Sequence, residues 1–363
     1  MKITNVKVTT LDFGKQKARS NAILTTRARK IIVVEVFTNE GITGVSVASG
    51  SGGSRVTTAP YVEGPLKDVI CGEDPFDVEK IWDKMYRSWR KPVAKGDLFF
   101  AISDIDVAIW DIMGKTVGKP VWKILGGFRD KVPAYAAGGN YVEGEGIKEL
   151  VEECSSYVSM GYKAFKMKVG RVSLKEDIER VKAVREAIGD GIDLMLDANT
   201  KFTAAEANRF IKTMEQFNPF WFEEPVCPDD IRGYQEVRAA TWVPIAAGEN
   251  EFTRWGCREL IENRAIDIIQ PDVGIAGGFT ECRKIAAMAD AHHIYVAPHG
   301  RPLIHVHLVA AVPNGLIVEI TPSPHYDELV GFRFEVKDGY INVPQRPGLG
   351  IELDKKVIDK YRI

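Results

Sequence analysis

The 363-residue chain lacks any apolar run long enough to cross a bilayer. It also lacks a basic stripe or a long run of one charge sign, since 48 Lys and Arg stand against 50 Asp and Glu. Nucleic acid and anionic membrane surfaces are therefore excluded as expected partners. Cysteine is scarce and scattered: Cys71, Cys154, Cys227, Cys257 and Cys282 are odd in number and form no CxxC pair. That argues against a disulfide framework and a zinc cluster, and leaves them as packing residues. The opening MKITNVKVTTLDF lacks the apolar core and cleavage site of a secretory signal. A cytoplasmic protein is the expectation.

What is present divides into three kinds of text. From Met1 to about Ser49 the pattern is strand-like, with ARKIIVVEVFTNEGITGVSVAS reading as a hairpin. Helical periodicity then runs from about Pro75 to Ile124. After GGFRD, short apolar strands alternate with amphipathic helices: VPAYAAGG, AFKMKVG, DLMLDAN, FWFEEP, VPIAAGEN, AIDIIQPD, YVAPHG and LIVEI. Eight such beats, without a Gly-rich phosphate turn after the first strand, favour a closed (β/α) TIM-type barrel over an open doubly wound sheet. The fold class expected is α/β, with residues 1–125 as an α+β capping domain, 126–325 as the barrel, and 326–363 as a tail returning to the cap.

Polar residues recur at the C-terminal ends of the barrel strands, where barrels of this type keep their chemistry. Lys166 and Lys168 end the second strand, Asp197 and Asn199 the third, Glu223 and Glu224 the fourth, Glu249 and Asn250 the fifth, Asp272 the sixth, His299 the seventh and Glu319 the eighth. Any one could be solvated or cap a helix; seven in succession are harder to dismiss. Asp197, Glu223 and Glu249 come from neighbouring strands, and like charges held together need a cation between them. An all-oxygen set points to Mg2+. The plain alternative is that each pairs with a lysine or caps the next helix. Asp272 and His299 end adjacent strands, where a carboxylate can orient an imidazole and raise its basicity. His292, His293, His305 and His307 take a structural reading, His325 beside Pro324 reads as a loop residue, and GIAGGF lacks the spacing of a nucleotide-binding turn.

Taken as an ordered set, KMK, LDAN, FEEP, GEN, QPD, PHG and VEI resemble the enolase superfamily, and within it the mandelate racemase-like subgroup. The resemblance spans nearly the whole chain and implies a modified TIM barrel with a cap. It implies Asp197, Glu223 and Glu249 as Mg2+ ligands, Lys168 as one acid/base, and the His299–Asp272 dyad as the other on the opposite face of the substrate. Lys166 would lie near the substrate carboxylate and lower the proton affinity of Lys168. Glu319 would hydrogen-bond that carboxylate as an electrophilic partner, and Asn199 would contact the substrate. A homo-oligomer is expected from the family.

The step such residues share is removal of a proton next to a carboxylate, which loads a second negative charge onto its oxygens and calls for nearby cations. Returning a proton to the same carbon gives racemisation or epimerisation; protonating a hydroxyl on the next carbon gives dehydration. Two segments are read as lids over the barrel mouth: RSNAIL, which carries Ser20 and Asn21, and ASGSGGSR, which ends at Arg55. Both are polar rather than aromatic, so a small hydroxylated carboxylate, an aldonate or aldarate, is the expected substrate. Arg55 and Arg301 are further candidates for a distal substrate group. The expected enzyme is an acid-sugar dehydratase, a lyase giving a 2-keto-3-deoxy acid, with a racemase, epimerase or lactone cycloisomerase as the alternative.

Overall fold

The alternating start of the chain folds into an antiparallel meander of β1 (Ile3–Ser20), β2 (Thr25–Thr38) and β3 (Thr43–Ser51). Register places Val8 opposite Val34 and Val33 opposite Val47. Ile31 to Val34 are all buried, as a strand covered on both faces requires. The helices Val78–Arg87 and Asp97–Thr116 complete this capping unit. The computed structural model describes residues 1–51, 54–88 and 95–363, without the side chains of residues 28, 29, 49–51, 54 and 55. The side chain of Arg55 and those of most of its lid segment thus lie outside what the structure describes.

The eight expected barrel strands are present. They are β4 (Lys131–Gly138), β6 (Ala164–Lys168), β7 (Asp193–Asp197), β8 (Pro219–Glu223), β9 (Ile245–Ala247), β10 (Ile268–Ile269), β11 (Tyr295–Val296) and β12 (Val318–Ile320). The short β5 (Tyr141–Val142) joins the cap sheet instead, pairing with the end of β1. The barrel strands run parallel in the order β11-β10-β9-β8-β7-β6-β4-β12. Pairing of Val296 with Gly315, ahead of β12, closes the ring: Val296 N donates to Asn314 O at 2.9 Å and Leu316 N to Val296 O at 2.8 Å. Between strands the helices start where the sequence marks them. In SLKE, Ser173 accepts from the Glu176 amide while the Glu176 carboxylate accepts from Ser173 N, and Thr203 with Glu206 repeats the box.

The barrel has its own interior core, separate from the layer under the helices. Tyr135, Ala137, Ala164, Met195, Trp221, Ala246, Ile268, Ala297 and Ile317 form it, while Phe165, Met167 and Phe222 pack outward against helices. Each strand therefore alternates inside and outside with period two.

The tail differs from expectation. Its strand β13 (Tyr340–Asn342) pairs antiparallel with the start of β4, Ile341 opposite Val132, so this part closes the bottom of the barrel. The tail beyond that strand reaches the cap: Gly348 pairs with Pro120, Leu349 N donates to Asp111 Oδ1 at 2.8 Å, Arg362 pairs with Leu11 and Ile363 N donates to Thr10 O. The reason is local: PAYAAG is interior, but Lys131 to Pro133 offer a free strand edge that VKDGYINV fits.

The glycines of GIAGGF serve docking. Gly277 and Gly278 start the helix Gly278–Ala291, and the cap helix Asp97–Thr116 satisfies its positive end. Ser103 Oγ accepts from Gly277 N at 3.0 Å, and Asp106 Oδ2 from Thr280 N at 3.1 Å. Trp82 Nε1 donates to Gly277 O at 2.8 Å, and Trp110 Nε1 to Thr280 Oγ1 at 2.9 Å. Burial pushes the Asp106 carboxyl up to about 7, against the pull of its bonds to Thr280. No helix among the described residues is long and apolar enough to cross a membrane.

At Gly278, φ is +85° and a Cβ would stand 2.1 Å from Asp106 Oδ2. At Gly189, φ is +74° and a Cβ would meet nothing within 4 Å. Both substitutions by alanine incur the left-handed penalty of about 1–2 kcal/mol; Gly278→Ala adds an overlap worth about 1–3 kcal/mol more. Urea midpoints of the two variants are expected to differ accordingly, and equal midpoints would refute this account of the docking.

Candidate active site

Register brings the polar strand ends to one level. Lys168 is opposite Asp197, Asp197 opposite Glu223, and Glu223 opposite Ala246 in successive parallel pairs. Six of the nine interior apolar residues are followed two positions later by a polar one: Ala164 by Lys166, Met195 by Asp197, Trp221 by Glu223, Ile268 by Gln270, Ala297 by His299 and Ile317 by Glu319. The same period yields Gln270, two residues before Asp272, as a buried polar group of the site.

Lys166 sits at the centre, 1% exposed. Its Nζ lies 2.6 Å from Glu223 Oε1, 3.0 Å from Glu319 Oε2 and 3.6 Å from Asp197 Oδ2. Burial opposes its charge, but these carboxylates hold its proton affinity well above that of a free lysine. Lys168 Nζ donates to Asp197 Oδ2. Burial and Asp197 alike push Glu223 up to about 8. Yet it accepts from Lys166, from Trp221 Nε1 at 2.9 Å and from Gln270 Nε2 at 2.8 Å, and three donors of this kind keep it a carboxylate. Burial likewise opposes ionisation of Asp197, but Lys168 and Lys166 hold it below the usual range.

On the far side, His299 Nε2 lies 3.5 Å from Glu249 Oε2 and Nδ1 lies 3.4 Å from Asp272 Oδ2. Burial would lower the imidazole, but the charge of Glu249 and contact with Asp272 raise it to about 10. Asp272 also accepts from Gly274 N at 2.7 Å. Burial raises its carboxyl, and His299, His305 and Arg301 together hold it below the ordinary carboxylate range.

Several expectations change here. Burial and Lys166 do lower the proton affinity of Lys168, but Asp197 raises it and the net direction is up. Lys166 is enclosed by carboxylates rather than open to a substrate. Glu319 accepts from Lys166, from Tyr135 OH at 2.9 Å and from Thr321 Oγ1 at 3.1 Å. Burial opposes its charge, but Lys166, with His299 and Lys168, outweighs that and holds its carboxyl below the usual range. Arg301 is buried and pairs with Asp104 of the cap helix at 2.8 Å, which ties it to the cap rather than to the open side of the site. Ser20 Oγ is hydrogen-bonded to Thr25 Oγ1 at 2.8 Å, and Asn21 Oδ1 accepts from Ile23 N and Leu24 N at 3.0 and 2.7 Å, so both build the turn itself. The half-exposed Ile23 and Leu24 give this lid two apolar side chains where polar character was expected. Asn199 is buried with its Oδ1 unbonded, which leaves it able to take a ligand hydroxyl.

His307 and His325 have structural partners. His307 receives Trp122 N at 3.2 Å and lies 3.2 Å from Leu349 O, and His325 stacks on Phe13. Glu224 accepts from Asn250 Nδ2 at 2.6 Å. Sequence reasoning missed Tyr135, Trp221 and Gln270, the buried donors behind Glu319 and Glu223; the period-two rule, read back from Glu223 and Asp272, would have found Trp221 and Gln270, whereas Tyr135 is placed by its pairing opposite Glu319.

Among the described residues no three His, Cys, Asp or Glu side chains are arranged to hold a metal ion. Lys166 and Lys168 draw Asp197 and Glu223 inward, and Glu249 faces His299. The donor chemistry nonetheless fits a hard divalent cation: three carboxylates from adjacent strands, with Glu249 Oε2 buried and unbonded. Rotation of these side chains away from the ammonium groups would complete the set.

Residues 149–357 match the family model described as enolase C-terminal domain-like, and residues 5–126 match the mandelate racemase / muconate lactonizing enzyme N-terminal domain. The arabinonate dehydratase of Saccharolobus solfataricus is 35% identical over 92% of this chain and 91% of its own. The 3,6-anhydro-alpha-L-galactonate cycloisomerase of Streptomyces coelicolor is 36% identical over 90% and 89%. A racemase of Streptomyces coelicolor A3(2), crystallised with bound magnesium, superposes with a TM-score of 0.94 at 30% identity, covering 99% of this chain and 100% of the other.

Replacing Lys166 by Met leaves Glu223 and Glu319 buried without their counter-charge. The expected loss is about 3–5 kcal/mol, read as a lower denaturation midpoint in metal-free buffer. An unchanged midpoint would remove Lys166 from the centre of the site's charge balance.

Proposed function

This chain belongs to the mandelate racemase / muconate lactonizing enzyme family of the enolase superfamily, and from that premise we propose that it dehydrates a sugar acid, an aldonate or aldarate, to the 2-keto-3-deoxy acid. The carrying observation is the juxtaposition of Lys168 at the end of β6 and the His299–Asp272 pair near the ends of β11 and β10, with the carboxylates of β7, β8 and the β9 loop lying between them in the ring. Such a site presents acid/base groups to a substrate from two sides.

In this reading one of the two groups takes the C2 proton and the other delivers a proton to the departing C3 hydroxyl. The C2–H and C3–O bonds break, water leaves, and the enol that results becomes the keto acid. Mg2+, when bound by Asp197, Glu223 and Glu249, would draw off the negative charge that builds on the substrate carboxylate as the proton leaves. With all three carboxylates engaged in that way, burial and Lys166 remain as the influences on Lys168, and both favour its neutral amine. Asp272 orients His299 and stabilises its charged form. Glu319 serves as the counter-ion that keeps Lys166 and the strand ends in place, and Asn199 offers its free carbonyl to a substrate hydroxyl.

The dehydratase relative at 35% identity supports the substrate class, and magnesium in the racemase structure supports the metal. Lactone cycloisomerisation is the second reading, supported by the D-galactarolactone cycloisomerase of Agrobacterium fabrum at 31% identity. The two differ in product: one releases water, the other rearranges a ring.

A panel of acid sugars incubated with Mg2+ in D2O tests both, with keto-acid formation and deuterium uptake at C2 as readouts. The expected result is keto acid from at least one aldonate or aldarate, abolished by chelation of the metal. Keto acid formed without loss of water, from sugar-acid lactones or anhydro acids added to the panel and not from open-chain aldonates or aldarates, would establish the second reading, and turnover confined to other carboxylates would end the first. Lys168→Ala and His299→Asn are each expected to reduce turnover by at least about 100-fold with an unchanged circular dichroism spectrum. Full activity in either variant would refute its role.

A further inference from the structure

His305 belongs to neither partner of the His299–Asp272 dyad, yet it touches both of the loops that carry them. It lies in the first turn of the helix Pro302–Ala311 and is completely buried. Its Nε2 is 2.9 Å from the amide nitrogen of Val273. A backbone N–H can only donate, so Nε2 must present its lone pair, and the ring proton resides on Nδ1. Nδ1 is directed at the carbonyl oxygen of Gly300, which can only accept. One neutral tautomer therefore satisfies both contacts, and the opposite tautomer satisfies neither.

Val273 directly follows Asp272, and Gly300 directly follows His299. A single imidazole thus spans the two loops one residue beyond each dyad member. The same loops are in contact a second time through Arg301, whose guanidinium lies where a side chain on Gly274 would be, 2.0 Å from its would-be Cβ. Arg301 adopts a left-handed φ of +39° to make that turn after Gly300. The dyad itself is open by comparison, with 3.4 Å between His299 Nδ1 and Asp272 Oδ2. That separation is close enough to tighten into a hydrogen bond and far enough to be lost if the loops part by a fraction of an ångström.

We infer that His305 is the positioning residue of this dyad: its hydrogen bonds to Val273 and Gly300 set the spacing of Asp272 and His299, and so the direction in which the His299 ring faces. The inference rests on the reading of His299 and Asp272 as one of the two acid/base groups.

The test uses the full chain with His305→Leu, which removes both bonds, His305→Gln, which keeps an acceptor at the reach of Nε2, and His305→Asn, which keeps a donor at the reach of Nδ1. Two readouts are taken: the ring 15N signals of His299 in the Mg2+-loaded protein, and kcat and KM on the acid sugar found by screening. In His305→Leu the His299 Nδ1 signal is expected to shift and kcat to fall by about tenfold to a hundredfold, with KM within about twofold of the parent; each conservative variant should recover part of both. A His299 signal that stays at its parent position in all three variants overturns the inference, whatever the activity. If His305→Leu does not fold, the other two variants carry the comparison, since each breaks one bond and keeps one. A shifted signal in a protein that turns over no acid sugar would instead leave the positioning role standing and end the dehydratase reading.

Discussion

The barrel interior depends on one buried ammonium group. Lys166 lies within ion-pair distance of Asp197, Glu223 and Glu319, which come from three other strands. Unit charges about 4 Å apart at an effective dielectric near 20 interact by about 4 kcal/mol. Repulsion among the carboxylates would therefore protonate or displace them if the cation were removed. Donors without charge complete the arrangement: Tyr135 on Glu319, and Trp221 and Gln270 on Glu223. The result is a set of strand ends whose carboxylates point inward and are ionised before any ligand arrives.

Two supports hold the reacting groups from opposite sides. On the Lys168 side, Arg180 donates to Lys168 O and to Gly139 O, both at 2.9 Å, and is itself fixed by Asp177 at 3.1 Å. Asp177 in turn accepts from Gly170 N and from Tyr141 OH, each at 2.7 Å, and Tyr141 sits in the strand that joins β1 of the cap. On the His299 side, the cap helix pairs Asp104 with Arg301 and docks Ser103 and Asp106 on the start of the helix Gly278–Ala291. The cap is therefore more than a cover for the mouth. It is bonded to the segments that follow β4, β10 and β11, so the geometry of the chemistry and the seating of the cap are mechanically linked.

Much of this was legible in the residues. Eight apolar strands, their order, and the polar pair at each end could be read because a parallel barrel strand obeys a strict period of two and ends where its polar residues begin. Asp197, Glu223, Lys168, Asp272 and His299 were visible for that reason. The donors behind them were not, since Trp221 and Gln270 look like ordinary core positions until the residue two places further on is known to be charged, and Tyr135 meets Glu319 only through the pairing of β4 with β12. The lid segment RSNAIL was read from its composition alone, and composition does not tell whether a serine or asparagine faces a ligand or closes its own turn; Ser20 and Asn21 close the turn. The tail was read as a return to the cap from its strand-like text and turns, and its pairing of Ile341 with Val132 escaped that reading because it depends on a free strand edge more than 200 residues earlier.

The sequence by itself determined the fold class, the family and which side chains reach the barrel mouth, because periodicity and local order decide these within a few residues of each position. Only the tertiary structure decided how those side chains share their charges. Lys166 meets Glu319 across 153 residues, Arg301 meets Asp104 across 197, and His305 joins loops that start at Asp272 and His299. Ionisation in a buried site depends on distance through a medium of low dielectric. Whether Lys168 is loosened by its lysine neighbour or held by Asp197 is therefore a property of the assembled barrel, which KAFKMKVG alone cannot express.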